Sequence, residues 1–286
     1  MEKMKLKNKI SDICKLKKQK NPFTCITAYD FPSALIINEL DIPLVLVGDS
    51  ASMVVYGYKN TTPISMDELL LVTKAVSRGI KTALIIGDMP FMSYQPSIEK
   101  AVYNAGRLIK EGKVDAIKLE GGREYVDQII NIVRAGIPVM GHIGLMPQSV
   151  LQDSGYKIQG KTAEKAINIY KDAIALEKAG VFAIVLEGVP EELAAIITNT
   201  VKVPTIGIGA GISCDGQIQV LHDVIGLFDT KIPKHAKMFM NSKKNIKSAL
   251  ANYKMEVENK QFPEENNSIK MNSTELIKLK NLIEDI

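Results

Sequence analysis

Cysteine is scarce in this chain of 286 residues, and the three that occur, Cys14, Cys25 and Cys214, lie far apart. An odd number without metal-type spacing argues against a disulfide scaffold and a cysteine-based zinc site, and suits a reducing compartment. Long apolar runs are missing as well. No stretch is long enough to span a bilayer, and the start, MEKMKLKNKISD, has no apolar core of a signal peptide. Basic charge is thinly spread. The formal net charge is +4, and no lysine or arginine run is interleaved with aromatics, which weighs against a nucleic-acid partner. What remains, 46% hydrophobic and 24% charged, is ordinary for a globular chain with a sizeable core. The expectation is a cytoplasmic enzyme or binding domain for small molecules, off the membrane.

What is present is a rhythm. Eight short β-rich apolar runs recur: FTCITAYD (23–30), PLVLVGDS (43–50), TALIIGD (82–88), AIKLEG (116–121), PVMGHIG (138–144), AIVLEG (183–188), PTIGIGAG (204–211) and, less clearly, GQIQVLHD (216–223). Between most of them lie segments with apolar residues at three- and four-residue steps, such as MDELLLVTKAVSRG and TAEKAINIYKDAIALEKAG, several closing on a glycine suited to a helix C-cap. Alternating βα units demand a parallel sheet covered by helices, and eight of them favour a closed (β/α)8 TIM barrel. An open doubly wound sheet would put its phosphate-binding glycine turn after the first strand, whereas here the glycine-rich turn follows the seventh. The barrel should occupy residues 1–240, including a lysine-rich N-terminal helix that forms a solvated face or plugs the barrel bottom. Residues 241–286 read as a helical extension, not a second catalytic domain.

In such a barrel the chemistry sits at the carboxyl ends of the strands. Those ends carry Asp30, Asp49 with Ser50, Asp88, Lys118 with Glu120, His142, Glu187 and the glycines of IGIGAG. Lys118 and Glu120, two apart in one strand, face the same way. Several carboxylates gathered in a partly dry pocket raise one another's pKa unless a cation compensates. Asp49, Asp88 and Glu120 offer only hard oxygens, which suits Mg²⁺ better than Zn²⁺. A 2-oxo acid could share that ion, with Lys118 holding its anionic end. Glu187 would be the general base if burial raised its pKa toward neutrality.

Each residue also has a plainer reading. A single strand-end Asp more often caps a helix or joins a loop salt bridge than binds metal. Lys118 and Glu120 could form a structural ion pair. His142 suits a hydrogen-bonded support near the pocket, Asp30 and Tyr29 could only order the first loop, and IGIGAG is a strong turn signal but a weak phosphate signal.

The ordered motifs VGDSASMVVYGY, GDMPFMSY, IKLEGG, GHIGLMPQSV, GYKIQG, VLEGVP, IGIGAG, CDGQIQV and PKHAKMF together resemble the ketopantoate hydroxymethyltransferase family, from about Thr27 to Phe239. The resemblance implies a barrel of the phosphoenolpyruvate-mutase/isocitrate-lyase type. It implies transfer of a hydroxymethyl group from 5,10-methylenetetrahydrofolate to 3-methyl-2-oxobutanoate, giving 2-dehydropantoate for pantothenate synthesis. It also implies Mg²⁺ on Asp49, Asp88 and Glu120, the oxo acid on Asp49, Ser50, Asp88 and Lys118, and Glu187 as proton acceptor, with His142 in the pocket and a homodecamer as the assembly. His235 stands in PKHAKMF where an aromatic is expected, and ISCDG follows IGIGAG; both could alter loop packing or folate contacts.

Three rivals remain at this stage. A lyase or mutase for a phosphorylated enol acid would need cations near the phosphate, and GAGISCDGQ has none. A metal-independent aldolase would use Lys118 as a Schiff-base nucleophile, which adjacency to Glu120 disfavours by keeping the lysine protonated. A non-catalytic barrel would bind the oxo acid without turnover.

Overall fold

The structure, a computed structural model, describes residues 6–151, 155, 157–227 and 233–284. Tyr156 of the GYKIQG motif, and Asp285 and Ile286 at the end of the last helical pattern, lie outside the described residues. The chain divides into two compact units, Met1–Phe239 and Met240–Ile286.

In the first unit all eight apolar runs become strands: β1 Phe23–Thr27, β2 Leu44–Val47, β3 Leu84–Asp88, β4 Ala116–Glu120, β5 Val139–Gly144, β6 Ala183–Glu187, β7 Thr205–Ile208 and β8 Gly216–Gln219. They pair in sequence order, every pair is parallel, and β8 closes on β1. The two-residue alternation of each strand sorts its side chains into two cores. Leu84 and Ile86 of β3, Ala116 of β4 and Met140 of β5 point inward with residues of the other strands. Ile85, Ile117 and Val139 point outward to the helices. Continuing the inward stripe by two residues reaches Asp88 on β3, Lys118 then Glu120 on β4, and His142 on β5. Lys118 and Glu120 therefore share the barrel interior.

Helices Phe31–Glu39, Met66–Gly79, Ile98–Lys110, Val126–Arg134, Ala163–Ala179 and Glu191–Thr200 fill successive crossovers. Asp30 caps the first of these, its Oδ1 accepting the Ser33 N–H at 2.8 Å, so the plainer reading of that acid holds. Gly180, in the left-handed region at φ +96°, ends Ala163–Ala179 as a C-cap. Gly79 serves otherwise. A Cβ there would stand 2.6 Å from the Ala34 Cβ, so this glycine lets two helices touch.

One crossover departs from the repeat. Residues 209–215 join β7 to β8 without a helix. At ~3.3 Å per residue, seven extended residues reach ~23 Å, ample to return along a four-residue strand. Gly209 and Gly211 take positive φ there, and a Cβ on Gly211 would lie 2.4 Å from Glu191 Cγ. Turn geometry and close approach thus account for the glycines of IGIGAG.

The N-terminal helix Ile10–Lys18 plugs the barrel bottom, with Ile13 fully buried against the inward core. Lys17 anchors it: Nζ donates to Asp215 Oδ2 and to the Thr198 carbonyl, both at 2.8 Å. The second unit contains helices Ser242–Glu258 and Ser273–Glu284, with the Tyr253 and Phe262 rings edge to face at 5.6 Å.

Replacing Ile13 by Ala should cost about 2–5 kcal/mol, as for other fully buried isoleucines. Urea unfolding measures this, and an unchanged midpoint would mean that the plug adds nothing.

Candidate active site

Strand register brings the charged residues side by side: Asp88 pairs with Lys118, Glu120 with His142, and Gly144 with Glu187. Asp49 and Ser50 join them from the turn after β2. Asp49, Ser50, Asp88, Lys118, Glu120, His142 and Glu187 all line one cavity of about 700 Å³ at the carboxyl ends of the strands, shared with apolar residues such as Met53, Val54 and Ile218. The residues assigned to metal, substrate and proton transfer are thus brought together, while Asp30, the helix cap, stays outside the cavity.

Lys118 is the centre of the cluster and is 4% exposed. Its Nζ lies 2.9 Å from Asp88 Oδ1, 3.2 Å from His142 Nδ1 and 3.6 Å from Glu120 Oε1. Burial favours the neutral amine, but the carboxylates of Asp88, Glu120 and Asp49 outweigh it and hold the lysine pKa above its ordinary value. A lysine kept charged in this way is a poor Schiff-base nucleophile.

The acids respond unequally. Burial, then repulsion from Asp88 and Glu120, pushes the Asp49 carboxyl well up. Burial also raises Asp88, against the pull of Lys118. Glu120 moves down: burial opposes ionisation, but Lys118, His142 and the Gln148 N–H prevail.

His142 bridges two carboxylates, with Nδ1 3.5 Å from Glu120 Oε1 and Nε2 3.3 Å from Glu187 Oε2. Burial and Lys118 oppose its charge, but the two glutamates carry its pKa up to about 9. The 3.2 Å approach of Lys118 would by itself suit a neutral ring that accepts at Nδ1. Asp49, Asp88, Glu120 and Glu187 outnumber the lysine, however, so a second cation is accommodated. Glu187 stands nearest the open cavity, with 15% of its side chain exposed.

Two buried residues that strand-end reasoning missed complete the site. Gln148, in the 3-10 turn Pro147–Ser149, donates from Nε2 to Asp49 Oδ2 at 2.9 Å and from its main chain to Glu120 Oε2 at 3.0 Å. Tyr94, in the β3 loop, donates from its hydroxyl to the Glu120 carbonyl at 2.8 Å. A polar residue within a largely apolar motif was the available signal, in GHIGLMPQSV and GDMPFMSY.

The donor set bears on a metal. Among the described residues no group of three or more His, Cys, Asp or Glu side chains already forms a coordination shell. Asp49, Asp88 and Glu120 nevertheless share the pocket, where Asp88 Oδ1 and Glu120 Oε1 divide a single ammonium, Lys118 Nζ, at 2.9 and 3.6 Å. Magnesium usually binds through one or two carboxylates and keeps several waters, so hard oxygens of this kind fit it better than a closed protein cage would.

Two sequence departures resolve into packing. The His235 ring lies on Gly209 in the cavity wall, where a Cβ would come within 3.0 Å of its Cγ. Cys214 and Asp215 of ISCDG sit low in the barrel, with Asp215 accepting the Thr205 N–H at 2.8 Å. The cavity wall also carries Lys157 and Lys234, cations contributed by loops other than GAGISCDGQ.

The family model for ketopantoate hydroxymethyltransferase matches residues 7–265. The chain belongs to that family. Among curated ketopantoate hydroxymethyltransferase relatives, the 3-methyl-2-oxobutanoate hydroxymethyltransferase of Clostridioides difficile is 50% identical over 274 residues, covering 96% of this chain and 100% of that protein. That of Syntrophobacter fumaroxidans is 52% identical over 265 residues, 93% of this chain and 94% of the other. Among solved structures, phosphonopyruvate hydrolase superposes with a TM-score of 0.61 at 12% identity, over 96% of this chain and 95% of that one. 2,3-Dimethylmalate lyase, a member of the phosphoenolpyruvate mutase/isocitrate lyase superfamily, does so at 0.55 and 16%, over 96% and 95%. At such identity these two speak for the fold alone: a barrel of the phosphoenolpyruvate-mutase/isocitrate-lyase type.

The His142 shift has a definite sign. Its folded pKa of about 9 lies above the ordinary ~6.5, so its contribution is complete below ~6.5 and is lost as pH rises through about 9. In chelator-treated protein the urea midpoint should fall between pH ~6.5 and ~9.5 by more in the wild type than in His142→Gln. Equal falls would rule out the bridging imidazolium.

Proposed function

We propose that this chain transfers a hydroxymethyl group from 5,10-methylenetetrahydrofolate to 3-methyl-2-oxobutanoate, giving 2-dehydropantoate for pantothenate synthesis. Family membership supports the reaction. The observation that carries it within the chain is the grouping of Asp49, Asp88 and Glu120 around Lys118 in one cavity, with Glu187 reaching the same space.

In this reading Asp49, Asp88 and Glu120 hold Mg²⁺, which when bound would supply positive charge to polarise the keto group of the oxo acid. The Lys118 ammonium attracts the carboxylate of the oxo acid. Ser50 offers its hydroxyl to the same ligand, oriented by Tyr29, whose Oη is 2.7 Å from Ser50 Oγ. Glu187 removes the proton from C3, the carbon next to the keto group, and His142, 3.3 Å away, holds that carboxyl group in place. The electron pair left on C3 forms the new C–C bond to the one-carbon unit, water supplies the hydroxyl, and tetrahydrofolate leaves. Apolar residues such as Met53, Val54 and Ile218 give the folate ring a dry wall, while Lys157 and Lys234 suit the carboxylates of its glutamate tail.

A second reading, a lyase or mutase for a phosphorylated enol acid, draws support from the same two lysines. Family membership weighs against it. For the assembly, Phe31, Leu35, Ile36 and Leu71 are exposed on the outer helices, which supports a homo-oligomer, a decamer in this reading. No helix among the described residues is long and apolar enough to cross a membrane, and folate-dependent synthesis fits the cytoplasm.

Purified protein given both substrates should form 2-dehydropantoate, lose that activity in EDTA and regain it with Mg²⁺. Turnover of phosphonopyruvate in place of the oxo acid would favour the second reading. Glu187→Gln should lower kcat by ~10²–10⁴, the range for a lost general base, while oxo-acid binding by calorimetry stays close to wild type. Weakened binding with unchanged kcat would remove Glu187 from the role of base.

A further inference from the structure

Each of the three carboxylates has one oxygen tied back by a neutral donor. Asp88 Oδ2 accepts the main-chain N–H of Asp49 at 3.1 Å. Asp49 Oδ2 accepts Gln148 Nε2 at 2.9 Å, and Glu120 Oε2 accepts the Gln148 main-chain N–H at 3.0 Å. Two of the three ties thus come from one residue. Gln148 is 4% exposed, and its amide has no spare valence. Nε2 also donates to the Met89 carbonyl at 2.9 Å, while Oε1 accepts from Gln95 Nε2 at 3.3 Å and lies 3.0 Å from Tyr94 Oη, whose single proton it shares with the Glu120 carbonyl. Such an amide has one orientation available. Turning it over would set Oε1 against the Asp49 carboxylate and the Met89 carbonyl, three acceptors without a proton.

We propose that Gln148 is a positioning residue that selects which oxygens of Asp49 and Glu120 face a divalent cation, by engaging the other oxygen of each. The inference rests on the Mg²⁺ reading given above. A carboxylate with a fixed donor on one oxygen is held to one-oxygen ligation through the other, here Asp49 Oδ1 and Glu120 Oε1. The donor must also be uncharged. A lysine or arginine at position 148 would orient the same carboxylates but cancel the negative charge that draws the ion, whereas an amide and a main-chain N–H orient them without neutralising them. Glutamine supplies both donors from one buried turn.

The test uses the full chain and Mg²⁺ alone, titrated by calorimetry without substrates. Gln148→Met keeps the length of the side chain and removes its donors and acceptors. Its Kd for Mg²⁺ should rise about 10–100-fold, the usual effect of losing a partner of a metal ligand. In turnover assays the Mg²⁺ concentration needed for half-maximal rate should rise with it, while kcat at saturating Mg²⁺ recovers most of the wild-type value. Gln95→Met acts one bond further out, removing a donor to Gln148 Oε1 without touching any of the three acids, and should weaken Mg²⁺ binding several-fold. It decides the matter if Gln148→Met does not fold. A folded variant that melts earlier yet binds Mg²⁺ as tightly as the wild type would reduce Gln148 to a structural residue and overturn the proposal. Failure of the functional reading is distinct: wild-type protein that binds Mg²⁺ but makes no 2-dehydropantoate defeats that reading and leaves Gln148 to be judged by its own Kd.

Discussion

The rest of the site depends on a buried ammonium among carboxylates. Lys118 enters the barrel on the inward face of β4 and meets Asp88 at 2.9 Å and Glu120 at 3.6 Å, all three almost wholly removed from water. Taking one of these charges alone out of water would be expensive, and the arrangement persists only because opposite charge and hydrogen bonds compensate it. The compensation is incomplete. Asp49 and Asp88 are still pushed toward protonation, and one ammonium is divided between Asp88 and Glu120. A pocket left with negative charge to spare is prepared for a cation, which is the physical basis of the metal reading.

That imbalance is tolerable because the barrel beneath it is closed and apolar. The inward stripes are hydrophobic through Leu84 and Ile86, Ala116 and Met140, and turn polar only at their last positions. Ile13 seals the opposite end, so the charged layer faces one opening. The same pleat that fills the core delivers the polar groups to its rim. Packing and chemistry are therefore not independent choices: a one-residue slip in β4 would turn Lys118 and Glu120 outward among the helices and bring Ile117 and Leu119 inside.

Much of this was legible in the sequence because buried parallel strands leave a plain mark: short β-branched runs that end in a polar residue. All eight strands could be read, including the weak GQIQVLHD. Their ends could not be read as closely, since the polar residue that closes a run can stand past the last strand position: β1 stops at Thr27, before Asp30, and β2 at Val47, before Asp49. The helix-free link 209–215 was also hidden, because glycines that permit a tight extended return resemble those of any βα turn. Within the site, Asp49, Asp88, Lys118, Glu120, His142 and Glu187 were visible as strand-end residues. Gln148 and Tyr94 were not. Gln148 acts on Asp49 across 99 residues of chain, and nothing local to PQSV reports that distance.

The sequence by itself therefore determined the parallel barrel, the face on which each strand residue lies and the chemical types gathered at the rim, because these follow from a period of two and from burial. Only the tertiary structure decided which oxygen of each carboxylate is already engaged, that His142 links Glu120 to Glu187, and that Asp30 serves a helix, not the pocket. Those outcomes depend on distances of about 3 Å between residues remote along the chain, which are set by strand register and loop path and not by the order of residues within any one segment.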